Sequence, residues 1–163
     1  MIKMINLIYF STTIVYYSLL KNANILSKIL VYGYNNLMGI KLNKIAIIED
    51  EISIQQMYKF KLEASGYSVK TANNGLEGIS LVKQFKPDLI LLDLKMPVMN
   101  GDEMLEKLRE TYDEINITKI VILTNISHDE IPYRLRLLGM DRYVLKAHHT
   151  PSQVVKIIND LIK

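Results

Sequence analysis

The chain contains no cysteine, which excludes disulfides and thiolate metal sites. It also lacks an apolar run of the ~20 residues that a bilayer-spanning helix needs. The nearest approach is Ile5–Leu20, about sixteen residues between Lys3 and Lys21, broken by Asn6, Ser11, Thr12, Thr13 and Ser18. No convincing small-residue cleavage site follows it, which argues against a signal peptide. Acidic residues are missing from positions 1–40, where Lys3, Lys21 and Lys28 supply all the charge. The whole chain of 163 residues has 20 Lys+Arg, 17 Asp+Glu and a net charge of +3, so residues 41–163 are neutral, with 17 charges of each sign. That balance lacks the basic footprint of a nucleic-acid binder. Absent, finally, is any Gly-rich or Ser/Thr-rich phosphate loop after the first apolar run of the neutral part, Ile45–Ile48. The usual nucleotide- and flavin-binding patterns are thereby disfavoured.

Two regions follow from this distribution: an N-terminal apolar extension, residues 1–40, and a domain over residues 41–163. Residues 1–37 are rich in Ile, Asn, Lys, Tyr and Leu, and Met38 opens a segment leading straight into the domain. The extension reads as leader translated upstream of a start at Met38. Membrane association of residues 1–37, and a helix packed on the domain, are the alternatives. More Lys lies after the apolar stretch than before it, so an anchor would leave the domain on the inner face. A cytoplasmic setting is expected. The domain length suits a single full core. The last helical pattern runs to Lys163, so a stand-alone domain without an output module is the expectation.

Within the domain the hydrophobic period alternates between strand and helix. Strands are expected at Ile45–Ile48, Tyr67–Ala72, Leu89–Leu92, Ile120–Leu123 and Tyr143–Leu145. Helices are expected at Ile52–Ala64, Leu76–Gln84, Asp102–Tyr112, Asp129–Leu138 and Pro151–Ile162. The first helix repeats Ile54, Met57, Tyr58 and Leu62 at helical spacing. Gly66 and Gly139 stand where they would end helices. Thr150 and Pro151 form an N-cap and first-turn pair, and Asp50 stands where it would cap the first helix. Asn73-Asn74-Gly75 reads as a turn using positive φ. Met96, Met99 and Met104 read as packing residues, and His148-His149 as loop. Alternation of this kind implies a parallel sheet covered on both faces.

In a parallel sheet all strand carboxyl ends open on one edge, where α/β folds place their chemistry. Four ends here carry functional groups: Glu49-Asp50, Asp93, Thr124 and Lys146. Three carboxylates sharing a pocket repel unless a cation sits among them. An oxygen-only donor set without His or Cys suits Mg²⁺. Lys146 supplies a point charge for a phosphate, and Thr124 a hydroxyl donor. The arrangement points to a site for a phosphoryl group and a divalent cation.

From about Lys44 to Lys163 the chain resembles the receiver domain of two-component response regulators. The likeness rests on Ile47-Ile48-Glu49-Asp50-Glu51, Leu91-Leu92-Asp93-Leu94-Lys95-Met96-Pro97 with Asn100-Gly101, Ile122-Leu123-Thr124, and Gly139 with Tyr143-Val144-Leu145-Lys146. It implies an α/β, flavodoxin-like doubly wound (βα)5 fold with strand order 2-1-3-4-5. It implies a phosphoacceptor switch rather than a turnover enzyme, with Asp93 taking a phosphoryl group from a histidine kinase or histidine phosphotransfer protein. Asp50 would bind Mg²⁺ directly, Glu49 through water, and the Lys95 backbone carbonyl would be a further ligand. Thr124 and Lys146 would grip the phosphoryl oxygens, and Tyr143 would swing inward. The responding surface would be the fourth helix, fifth strand and fifth helix, near Tyr133, Arg136, Tyr143 and Ser152, and would bind a downstream protein. Ala147 after Lys146 and Asn125 after Thr124 depart from the family pattern and leave a non-phosphorylated interaction module as the alternative. An aspartyl-phosphate hydrolase is disfavoured by Lys95, where such enzymes carry a second Asp.

Overall fold

A computed structural model describes residues 43–127 and 133–162, without the side chains of Arg134 and Arg136. The leader, anchor and start-site readings of residues 1–40, and the beginning of the helix expected from Asp129, lie outside the described residues. Five strands form one sheet: β1 (Lys44–Ile48), β2 (Ser68–Ala72), β3 (Leu89–Leu92), β4 (Lys119–Thr124) and β5 (Arg142–Leu145). All neighbouring pairs are parallel, in the order β2-β1-β3-β4-β5. The helices are α1 (Ile52–Ala64), α2 (Gly75–Phe85), α3 (Gly101–Thr111), α4 (Tyr133–Leu137) and α5 (Pro151–Leu161), with 3-10 turns at Asp113–Ile117 and Lys146–His148.

Strand parity divides the core in two, because successive side chains point to opposite faces. Ala46, Ile48, Ile90, Leu92, Ile120 and Ile122 pack with Val82 of α2, Met104, Leu105 and Leu108 of α3, and Leu135 of α4. Ile45, Ile47, Leu89, Leu91, Val121, Leu123 and Val144 pack with Tyr58 and Leu62 of α1 and Val154 and Ile158 of α5. The central strands are buried on both faces, which is why they read as unbroken apolar runs. Each fully buried Leu, Ile or Val stabilises the fold by about 1.5–3 kcal/mol relative to exposure.

Local signals set the helix ends. Asn74 caps α2 by accepting the Glu77 N–H at 2.9 Å, and Thr150 caps α5 ahead of Pro151. Gly66 (φ +92) and Gly139 (φ +73) follow α1 and α4 in the left-handed conformation, as expected, and Lys86 (φ 50) does the same after α2. Three details differ from the sequence reading. Asn74 is extended and Gly75 is not at positive φ. Glycine is needed at 75 for space, since a Cβ there would lie 2.8 Å from both Cγ and O of Met99. The N-cap of α1 is Glu51, not Asp50. The buried register of α1 is Gln55, Tyr58 and Leu62, and Met57 faces outward.

Candidate functional site

Ladder register brings the strand-end groups together. Ile48 of β1 pairs with Leu92 of β3, so Glu49 and Asp93 each stand one residue past a matched pair. Leu92 pairs with Ile122, and Thr124 pairs with Leu145, which puts Thr124 and Lys146 on the same edge. The Asp93 N–H donates to the Ile48 carbonyl at 2.9 Å, and the Glu49 N–H to Ala72 at 3.0 Å, extending the sheet to the site itself. Gly101, at the start of α3, lies so close to Asp93 that a Cβ would come within 2.1 Å of the Asp93 carbonyl oxygen.

The result is an open pocket of about 440 Å³, lined by Glu49, Asp50, Glu51, Asp93, Lys95, Thr124, Asn125, Ile126 and Lys146. Glu49, Asp93 and Thr124 are buried, while Asp50 and Lys95 are exposed. One oxygen from each of Glu49, Asp50 and Asp93 falls within 4.8 Å of the others, the one such group of potential metal ligands among the described residues. His148 and His149 are not part of it. The Lys146 ammonium bridges two of the three, at 2.6 Å from Glu49 Oε2 and 2.9 Å from Asp93 Oδ2. Asp93 Oδ1 accepts the Leu94 N–H at 2.7 Å. The Lys146–Ala147 bond is trans, and Lys146 nevertheless reaches both carboxylates.

Burial raises the Glu49 carboxyl above its ordinary value of 4.5, against the opposing pull of Lys146 and with a push from Asp93. Burial pulls Lys146 down, but its contacts with Glu49 and Asp93 outweigh this and hold the ammonium above 10.5. Tyr58, beneath the site on α1, is raised mainly by burial and feels the charges of Lys146 and Glu49. Three carboxylates against one ammonium leave two negative charges uncompensated. That deficit, the all-oxygen donors and the room in the pocket fit Mg²⁺. Lys95 lines the pocket wall.

The remaining expected residues form a second layer. The Thr124 hydroxyl accepts a long bond, 3.5 Å, from the Ile126 N–H. Tyr143 is half-buried, and its hydroxyl donates to the Ile126 carbonyl. The two are thus joined through the segment that follows β4. Tyr133 and Ser152 are exposed; the side chain of Arg136 is not among those described. Sequence reasoning missed Gln55, which is buried on α1 and bonded to the Glu49 carbonyl. Its signal is a polar residue in register with Tyr58 and Leu62, three and seven residues on, where an apolar side chain is the rule.

Comparison with known proteins agrees with this geometry. The family model of the response regulator receiver domain matches residues 45–159. The chain is 30% identical over 113 residues to the polar-differentiation response regulator DivK of Brucella anthropi, covering 69% of this chain and 91% of DivK. It is 32% identical over 116 residues to the phosphate regulon transcriptional regulatory protein PhoB of Rhizobium meliloti, covering 71% of this chain and 51% of PhoB. The chain thus spans about half the length of PhoB, and 48% of the cell cycle transcriptional regulator CtrA of Caulobacter vibrioides. Among solved structures, the chemotaxis response regulator CheY4 of Vibrio cholerae superposes with a TM-score of 0.68 at 28% identity, over 75% of this chain and 100% of CheY4. No helix among the described residues is long and apolar enough to cross a membrane.

Proposed function

The chain belongs to the family of response regulator receiver domains of two-component systems, and on that premise we propose that it is a phosphoacceptor switch whose nucleophile is Asp93. Members of this family are switches rather than classical enzymes, and they work with histidine kinases and downstream effectors. The observation that carries the reading is the meeting of Asp93, Glu49 and Asp50 within 4.8 Å, with Lys146 bonded to Asp93.

In the proposed reaction, an Asp93 carboxylate oxygen attacks the phosphorus of a phosphohistidine on a histidine kinase or phosphotransfer protein. The P–N bond breaks, its electron pair stays on the imidazole nitrogen, and that nitrogen takes a proton from solvent. Mg²⁺ held by Asp50, Asp93, the Lys95 carbonyl and, through water, Glu49 would supply charge neutralisation for the incoming phosphoryl group. Lys146 then exchanges its carboxylate partners for phosphoryl oxygens, and the Thr124 hydroxyl turns to donate to another. Movement of Thr124 draws on the segment that also holds Tyr143, so the surface of α4, β5 and α5 changes and binds its protein target. Shifting such a switch from 1:99 to 99:1 takes about 5.5 kcal/mol of differential stabilisation. Charge-assisted hydrogen bonds of about 1.5–3 kcal/mol each, from Lys146 and Thr124, supply much of it.

Intact mass spectrometry tests the proposal. With Mg²⁺ and a small acyl phosphate, the wild type should gain one phosphoryl group and Asp93→Asn none. A wild type that stays unmodified and shows no Mg²⁺ binding would favour the interaction-module reading. The reach of Lys146 to both carboxylates, despite Ala147, supports the switch instead.

A further inference from the structure

We infer that Gln55 is a positioning residue for the metal pocket: its side-chain amide fixes the backbone of Glu49 and so the aim of the Glu49–Asp50 carboxylate pair. This rests on the switch reading above and extends it to a residue outside the pocket wall.

Gln55 sits in the first turn of α1 and is 2% exposed. The two N–H bonds of its Nε2 serve three acceptors, one of them shared: the Glu49 carbonyl at 3.0 Å, the Ala72 carbonyl at 3.2 Å and Asn73 Oδ1 at 3.0 Å. Those acceptors lie at the carboxyl ends of β1 and β2. Glu49 is therefore held from both sides, its N–H by Ala72 and its C=O by Gln55. The Gln55 N–H donates in turn to the Glu51 carbonyl at 2.9 Å, tying the amide's own helix to the loop that carries the acidic pair. Gln55 Oε1 is met by Gln56 Nε2 at 3.3 Å, so the amide orientation is used at both ends.

An apolar residue here would satisfy the helix register but strip the Glu49 carbonyl of the Gln55 donor, while the Ala72 carbonyl would keep the Glu49 N–H. Freed of its bond, the Glu49 peptide can rotate, and a rotation there swings the carboxylates of Glu49 and Asp50. Partners one step removed from a metal ligand commonly control affinity by about 10–100-fold.

The test is a double-mutant cycle on Mg²⁺ affinity, read by calorimetric titration, with urea denaturation in EDTA measured alongside. The variants are Gln55→Met, Glu49→Gln and the pair. In Gln55→Met, Mg²⁺ should bind about tenfold or more weakly while the protein remains folded at the titration temperature. In the Glu49→Gln background the same change should have a smaller effect, because only the Asp50 half of the carboxylate pair is left to lose its aim. Equal loss in both backgrounds, or unchanged affinity in Gln55→Met despite lower stability, would reduce Gln55 to a structural bond and overturn the inference. If Gln55→Met fails to fold, Gln55→Asn, which keeps the amide on a shorter arm, replaces it with the same expected outcomes. A wild type that binds no Mg²⁺ would overturn the switch reading itself.

Discussion

Replacing Gly101 by alanine should damage the fold at the main chain of Asp93. A Cβ at this position would stand 2.1 Å from the Asp93 carbonyl oxygen, 3.1 Å from its carbonyl carbon and 3.1 Å from Leu92 Cγ. Non-bonded contacts are comfortable near 3.5 Å, so the two backbones must part by roughly 1 Å or more. Little can yield. The obstacle is main chain, the Gly101 N–H is bonded to the Leu94 carbonyl at 2.9 Å, and Met104, Leu105 and Leu108 anchor α3 at 0% exposure. Overpacking of this kind costs about 1–3 kcal/mol, and the strained hydrogen bond adds about 1 kcal/mol. At about 2–4 °C per kcal/mol for a chain of this size, the melting temperature should fall by of the order of 10 °C. Gly78→Ala is the internal control. The added methyl there meets side chains rather than main chain, Met104 Sδ at 2.6 Å and Ile48 Cγ2 at 3.1 Å, and alanine's better helix propensity offsets about 1 kcal/mol. Calorimetry should place Gly101→Ala far below Gly78→Ala. A Gly101→Ala protein melting within about 2 °C of wild type, or above Gly78→Ala, would refute the close-approach argument.

Other perturbations have defined signs. Because the folded Glu49 pKa is raised, its contribution to stability is fully present below 4.5 and is lost as pH rises through the folded value. Chemical denaturation of the metal-free protein should show that decline, Glu49→Gln should flatten it, and Mg²⁺ should bind more weakly as the carboxyl is protonated. Asp141, lowered by Lys119 and the Ile120 N–H despite opposing burial, acts in the other window: its contribution is lost as pH falls below 3.8 through its folded value. Lys146→Met should leave Glu49 and Asp93 facing each other without a cation. The loss should be about 3 kcal/mol, the low end for a broken buried pair because the pocket is open, and saturating Mg²⁺ should recover part of it in urea titrations. Lys86→Gly should stabilise by about 0.5 kcal/mol in the same assay. Glycine relieves the left-handed conformation, and the lost Lys86–Glu114 contact, at 61% and 49% exposure, is a surface pair worth little.

The pattern of apolar residues makes the sheet legible, because burial on two faces leaves unbroken runs at Leu89–Leu92 and Ile120–Leu123, too short for helices. Asp93 is legible for the same reason, since it follows Leu89–Leu92 directly, whereas Lys146 follows the partly buried edge strand β5 and is marked only by its place at a strand's carboxyl end. Contacts between residues distant in sequence are not legible. β1 begins at Lys44, one residue earlier than its apolar run, since the Lys44 N–H donates to Asp88 Oδ2 at 2.7 Å and its Nζ to the Phe85 carbonyl at 3.1 Å. Gly75 reads as a turn residue in the sequence, whereas in the fold Met99, from another loop, occupies the space of its missing side chain. Gln55 does not stand out in the sequence, because polarity on a helix normally means solvent.

The matched strand ends, with Gln55 of α1 completing the grip on Glu49, mean that the site is stored in the ladder and in what the helices turn toward it. A slip of one residue in any central strand would carry its terminal group about 3.3 Å away and turn it to the opposite face, so the pocket is inherited whole or not at all. The outward faces of α1, α4 and α5 carry no such debt. Those faces can change residue by residue without moving the acidic edge.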